Sequence, residues 1–166
     1  MRKPTGVALA CAITLAASIS WACSATSAAE TLAVAPSELT GTGGLRVRPA
    51  VIGFTGDGTG YLGGFTGRRA VPHPSQSALQ WAGHLTWTKW GATEAHGHGA
   101  IWGNNGEPDD ARGTFFPSAV KVRLFRVVNH VFTRLELRYR YGGKPIKEVL
   151  KARYVPPSEY GEGYWE

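Results

Sequence analysis

An all-β fold is expected for this 166-residue chain: a compact antiparallel sandwich or partly closed barrel of about six to eight short strands, preceded by a signal peptide and a flexible linker. Three observations predict the strands. From Leu45 onward β-branched and aromatic residues alternate with polar ones, no stretch holds a 3.6-residue apolar period, and glycine, proline or Asn/Asp clusters interrupt the chain at short intervals. The roughly 110 residues so patterned are enough for one self-sufficient domain.

Residues 1–29 read as an export signal and make a secreted protein the expectation. Arg2 and Lys3 form a positive start, Val7 to Ala22 carries no charge, and small residues crowd the following CSATSAAE. A membrane helix needs about 20 uninterrupted apolar residues. Ser18 and Ser20 break this run, so cleavage near Ala28 or Ala29 is expected, with no transmembrane anchor afterwards. Cys23 offers an alternative address. It stands where the lipid-bearing cysteine of a bacterial lipoprotein would, although Ser20-Trp21-Ala22 lacks the leucine usual three positions before it. Cys11 lies inside the signal, so the exported domain has no disulfide and must be held by its core. The formal charge is +6, and +4 without Arg2 and Lys3. Outside a cell that balance favours polyanions such as wall polymers, and it is also ordinary for a soluble surface of mixed sign.

Residues 30–44 are rich in Ala, Ser, Thr, Gly and Pro and read as a linker. The β domain is then placed at 45–155, with strands at Arg46–Thr55, Tyr61–Phe65, His84–Trp90, Glu94–Trp102 and Lys147–Tyr154. Pro156-Pro157 ends it, and a tail at 156–166 either packs back through Tyr164 and Trp165 or hangs free.

Gly58-Thr59-Gly60-Tyr61-Leu62-Gly63 satisfies the spacing G-x-G-x-x-G. A dinucleotide fingerprint needs a helix after its glycines and an acidic residue about 20 positions on. Gly64, Gly67, Pro72 and Pro74 forbid the helix, and no acid stands at that distance. Asp57-Gly58 is a strong hairpin signal, so the loop is expected to turn the chain, and no dinucleotide partner or other cofactor is expected.

The clearest unit is a hairpin from Ala119 to Tyr141. Val120, Val122, Leu124, Leu135, Leu137 and Tyr139 share one face, while Lys121, Arg123, Arg134, Glu136, Arg138 and Arg140 share the other. Asn129-His130 suits the turn. A two-residue turn sets Arg123 opposite Glu136 and a four-residue turn sets it opposite Arg134, with the same faces either way.

Several of these segments together resemble an uncharacterised family of small secreted actinobacterial proteins: RPAVIGF followed by TGDGTGYLGG, then LTWTKWG, A-x-G-x-G-A-x-W, a loop with a central proline, and VFTRLELRY. The resemblance covers roughly Arg46 to Tyr141 and implies a fold without implying an activity. The family's C-x-P-x-C loop, which looks like a local disulfide, is represented here by Gly106-Glu107-Pro108-Asp109-Asp110, with both cysteine positions replaced.

Chemistry is sparse. There is no G-x-S-x-G elbow, and no cysteine lies beyond residue 23 to act as a nucleophile. His96 and His98 share a strand face with Glu94 and are the candidate metal ligands; two histidines leave the set incomplete. Gly97, Gly99 and Gly103 on the opposite face signal close approach of a neighbour. Among the tryptophans, alternation from Leu85 turns Trp87 toward the core and Trp90 away from it, and Trp102 falls on the face of His98. Trp90 and Trp102 are therefore the expected exposed aromatics for sugar or base stacking. Lys121, Arg123, Arg134, Arg138 and Arg140 form the expected basic face for a phosphate-rich polymer, and the same charges also discourage edge pairing. The expectation is an exported, non-enzymatic binding module for anionic or carbohydrate cell-envelope material. The alternatives are a small secreted hydrolase using Asp/Glu or a His-bound metal, and a structural or coat protein.

Overall fold

The computed structural model describes residues 32–37, 44–55, 57–72, 74, 77–110, 112–154 and 163–165. The expected signal peptide, Cys23 and part of the expected linker lie outside them. Among the described residues the chain forms β1 (Ala35–Ser37), β2 (Gly44–Arg46), β3 (Ile52–Gly53), β4 (Gly60–Gly63), β5 (Val71–Pro72), the short helix α1 (Ala78–Trp81), β6 (Thr86–Trp90), β7 (Glu94–Asn104), β8 (Thr114–Val128), β9 (Val131–Tyr141), β10 (Lys144–Tyr154) and β11 (Gly163–Trp165). The fold is all-β, and its strand pairs are antiparallel. The strands are more numerous and longer than expected. β8 runs for 15 residues, because the alternation of its hairpin arm extends back through Thr114-Phe115-Phe116.

The main sheet runs in the order β11-β10-β9-β8-β7-β4-β3, with β5 beside β8 and β6 beside β7. It is not closed into a barrel. Two strands divide one edge of β7 between them: β6 pairs with Ala95–His98 and β4 with Ala100–Gly103. The β8–β9 hairpin turns on Asn129 (φ 49°) and His130 (φ 63°), both left-handed as a two-residue turn requires. That turn places Arg123 opposite Glu136.

One core fills the face that carries Val120, Val122, Leu124, Leu135 and Leu137, joined by Ile52, Leu62, Leu85, Ile101 and Phe132. The segment expected to be a free linker contributes to it, which corrects that expectation for residues 32–37. Ala33 and Ala35 are buried, β1 pairs with β2, and β1 also contacts β3, β9 and β11. Val34 donates to the His130 carbonyl at 2.8 Å and accepts from Phe132 at 2.9 Å. Small side chains let this strand lie flat against the core. At the other end of the chain β11 pairs with β10, and Trp165 is buried with its indole N–H aimed at the Pro36 carbonyl (3.3 Å).

A second core lies on the opposite face at the far end of β7. It is built from Val51, Val71, Ala78, Trp81, Ala82, Ala100, Trp102 and Phe115, with Tyr61 against it. The glycine-rich loop serves these two cores. Asp57 accepts from the backbone and hydroxyl of Thr59, Gly58 turns with φ 76°, and Gly63-Gly64 lets the 82–84 backbone approach where a Cβ would collide with the Ala82 and His84 carbonyls. No helix follows; Gly64 leads into the exposed segment from Phe65 to Arg69. The loop at residues 106–110 is held by polar side chains. Asn104 accepts from Gly106 N and donates to Asp110 O, and Asn105 accepts from Glu107 N and Thr114 N. Among the described residues no helix is long and apolar enough to cross a membrane.

Candidate polyanion-binding face

Two of the expected ligand-contacting residues belong to the interior. Trp90 is 8% exposed, donates to the Ala33 carbonyl at 2.8 Å and packs edge-on against Phe132. The register shifts between Trp87 and Lys89, which reverses the phase of alternation and brings Trp87 and Trp90 to one side, with ring centroids 4.7 Å apart. Trp102 is fully buried. It does lie on the face of His98, but the second core covers that end, and its indole N–H reaches the Ala82 carbonyl (2.9 Å) and the Gly64 carbonyl (3.2 Å). Stacking of a ligand on either ring is excluded by this packing.

The basic residues fare differently. Strand register sets His98, Lys121, Arg138 and Lys147 side by side on β7, β8, β9 and β10, all on the face away from the first core. Adjacent strands are about 4.8 Å apart, so this row spans about 14 Å. The next row holds Lys89, His96, Arg123 and Glu136. A cleft of about 530 Å³ opens between Glu94, His96, His98, Lys121, Arg123 and Arg138. Of the five expected basic residues, Lys121, Arg123 and Arg138 meet here. Arg140 adjoins them, donating to the Gly143 carbonyl, while Arg134 is half-buried and donates to the Thr133 carbonyl. Sequence reasoning does not single out Lys147. It falls in an expected strand, and only the register shows that it continues the row.

Two carboxylates hold the arrangement together. Glu94 receives Lys89, His96 (3.2 Å) and Arg123 (3.3 Å). The Lys89 hydrogen bond, followed by that of His96, pulls its carboxyl down to about 2. Glu136 is only 5% exposed, an unusual place for a charge expected on an outer face. Burial resists its ionisation, but the hydrogen bonds from Arg138 (2.6 Å) and Lys147 (3.3 Å) outweigh burial and hold its carboxyl below the ordinary value. The Arg123 guanidinium lies 4.9 Å from the Phe125 ring centroid, and its Nε is buried without a partner among the described residues.

Neither carboxylate of this face has the state that acid catalysis requires. General-acid hydrolysis of a glycoside needs one carboxyl kept protonated by a raised pKa, and both carboxyls of this face are lowered. His96 and His98 gain no third ligand: among the described residues no group of three His, Cys, Asp or Glu side chains is placed to hold a metal ion. Glu94, the nearest donor, is already engaged by Lys89 and Arg123.

The Glu94 cluster carries a pH signature. Its folded carboxyl sits below the usual 4.5, so the stability it contributes is complete above about 4.5 and lost as pH falls toward 2. Glu94→Gln should therefore lower the melting temperature at neutral pH and converge with the parent near pH 2. Thermal melts of both chains across that range check this. Coincident curves would remove the cluster from any role in stability, and a constant offset would show that the Glu94 charge is not what stabilises.

Among the described residues fold and face together define an open antiparallel β-sheet protein whose cationic strand face is covered at one end by the second core and exposed at the other. Compared with protein-family models, curated proteins and solved structures, the chain finds no match.

Proposed function

We propose that this chain is an exported, non-enzymatic binding module for anionic cell-envelope polymers, gripped by the row His98–Lys121–Arg138–Lys147. The observation that carries the reading is the register itself. Four hydrogen-bonded strands present His98, Lys121, Arg138 and Lys147 in turn, so an imidazole and three cations form a line across the sheet. Among the described residues Arg138 and Lys147 share one carboxylate, the buried Glu136, and no other carboxylate pairs with the row, which leaves it with an excess of positive charge. A polymer running across the strands meets donors at intervals of about 4.8 Å, while rigid packing beneath keeps the ordering cost of binding low. Such binding is electrostatic and salt-sensitive.

Cosedimentation of the purified chain with isolated cell walls over a salt series tests it. Binding should weaken steadily with salt, and Lys121→Ala plus Arg138→Ala should flatten the log–log slope by on the order of one unit per cation removed. Absence of binding at any salt, or a slope unmoved by the double substitution, would sink the reading.

A further inference from the structure

With Trp90 and Trp102 inside, the most exposed aromatic ring beside the row of cations is Phe65. This ring is 60% exposed, more than any other phenylalanine in the described core and strands. It follows β4 directly, where Gly63-Gly64 lies tight against the 82–84 backbone, so the chain that presents it is anchored. Phe65 lines a trough of about 930 Å³ together with Ala119, Lys121, Arg138, Arg140 and Lys147. Among the described residues no carboxylate contributes to the lining of this trough. An exposed ring offers a stacking surface, and the four cations that share its trough favour a negatively charged occupant.

We infer that the trough takes an anionic polysaccharide, with a sugar ring laid on Phe65 while its acidic substituents meet Lys121, Arg138, Arg140 and Lys147. This rests on the polyanion-binding reading above and narrows it to polymers whose repeat unit carries a ring. Aromatic contact with the apolar face of a ring is insensitive to salt and indifferent to charge, so it separates ring-bearing polyanions from ringless ones of equal charge. Arg138 and Arg140 supply planar forks that pair with acidic groups in two-point contacts, and Lys121 and Lys147 supply point charges.

The test compares two probes matched in charge, dextran sulfate and linear polyphosphate, by calorimetry against the parent chain and against Phe65→Ala and Phe65→Trp. Phe65→Ala should weaken dextran sulfate about tenfold and leave polyphosphate within about twofold, and Phe65→Trp should restore the dextran sulfate affinity. Equal loss for both probes, or no loss for either while Lys121→Ala still weakens both, would overturn the ring contact and leave the basic row standing. Failure of the parent to bind either probe would overturn both readings. Tighter binding of single-stranded oligothymidylate than of dextran sulfate, lost on Phe65→Ala, would overturn the polysaccharide assignment in favour of nucleic acid.

Discussion

Gly99→Ala should cost this protein about 3 kcal/mol or more, enough to unfold it at moderate denaturant concentrations. Gly99 sits in the middle of β7 with its missing side chain directed at the Gly63 carbonyl oxygen, and a Cβ would fall well inside van der Waals contact with that oxygen and within 3.1 Å of Leu85 Cδ2. Backbone cannot rotate out of the way as a side chain can. Gly63 is itself pinned, because a Cβ there would strike the Ala82 carbonyl. The three segments at Gly63, Ala82 and Gly99 are thus stacked at a separation only glycine permits. Gly103, four residues along the same strand, has no atom within 4 Å of the point where a Cβ would stand, so Gly103→Ala should change stability by less than about 0.5 kcal/mol. Chemical denaturation of the pair gives the comparison. Similar midpoints for the two variants would mean that the sheet gives way at Gly63 far more easily than its packing implies.

Trp102→Ala should cost about 3–5 kcal/mol and remove binding only by removing the fold. The ring is fully buried between Trp81, which meets it edge-on at 5.5 Å, and the strand that carries it. Its truncation empties the centre of the second core and leaves the Ala82 carbonyl without its indole donor. Trp102→Phe keeps most of the volume and should recover a large part of the loss. A ligand-binding tryptophan would behave in the reverse sense, with the alanine variant stable and inert. Denaturation midpoints measured beside cell-wall binding separate the two cases: a stable Trp102→Ala protein would show that the second core does not depend on this ring.

The two expectations about tryptophan fail for different physical reasons. Counting alternate residues from Leu85 turns Trp90 outward, and such counting assumes an unbroken pleat. The irregularity between Trp87 and Lys89 reverses the phase, and nothing in TWTKW announces it. For Trp102 the alternation is right, and the residue does share a face with His98. Periodicity assigns a side chain to a side of the sheet without saying what covers that side. Here α1 and the segments around Val51 and Val71, none of which has a strong pattern, fold over one end of it and leave the other end open.

The β8–β9 hairpin is legible because its signals agree. Alternation holds from Val120 to Leu124 and from Leu135 to Tyr139, and the turn pair tolerates positive φ. The reversal of phase at Arg126 (φ 56°), which turns Val127 and Phe132 to the same core, leaves no mark in the pattern. The row of cations is half legible: four of the five basic residues expected from sequence line the two cavities of this face. Lys147 joins it through the register of the β9–β10 hairpin, and Phe65 through the pairing of β4 with β7, distant in the chain. Glu136 reads in sequence as one more surface charge. Its burial comes from the arginine and lysine that lie over it, which no one-dimensional pattern encodes.

The seat of the N-terminal segment decides how the protein carries load. Tension entering the chain at residue 32 meets Ala33, whose carbonyl is tied to Trp90, and then Val34, which is bonded on both sides to the turn and first residues of β9. Force is therefore delivered within two residues to the strand that bears Arg138 and Arg140, the same strand that would hold a polymer on its far side. A pull on that segment would load the first core, through β9, before it reached the second core on the other face of the sheet.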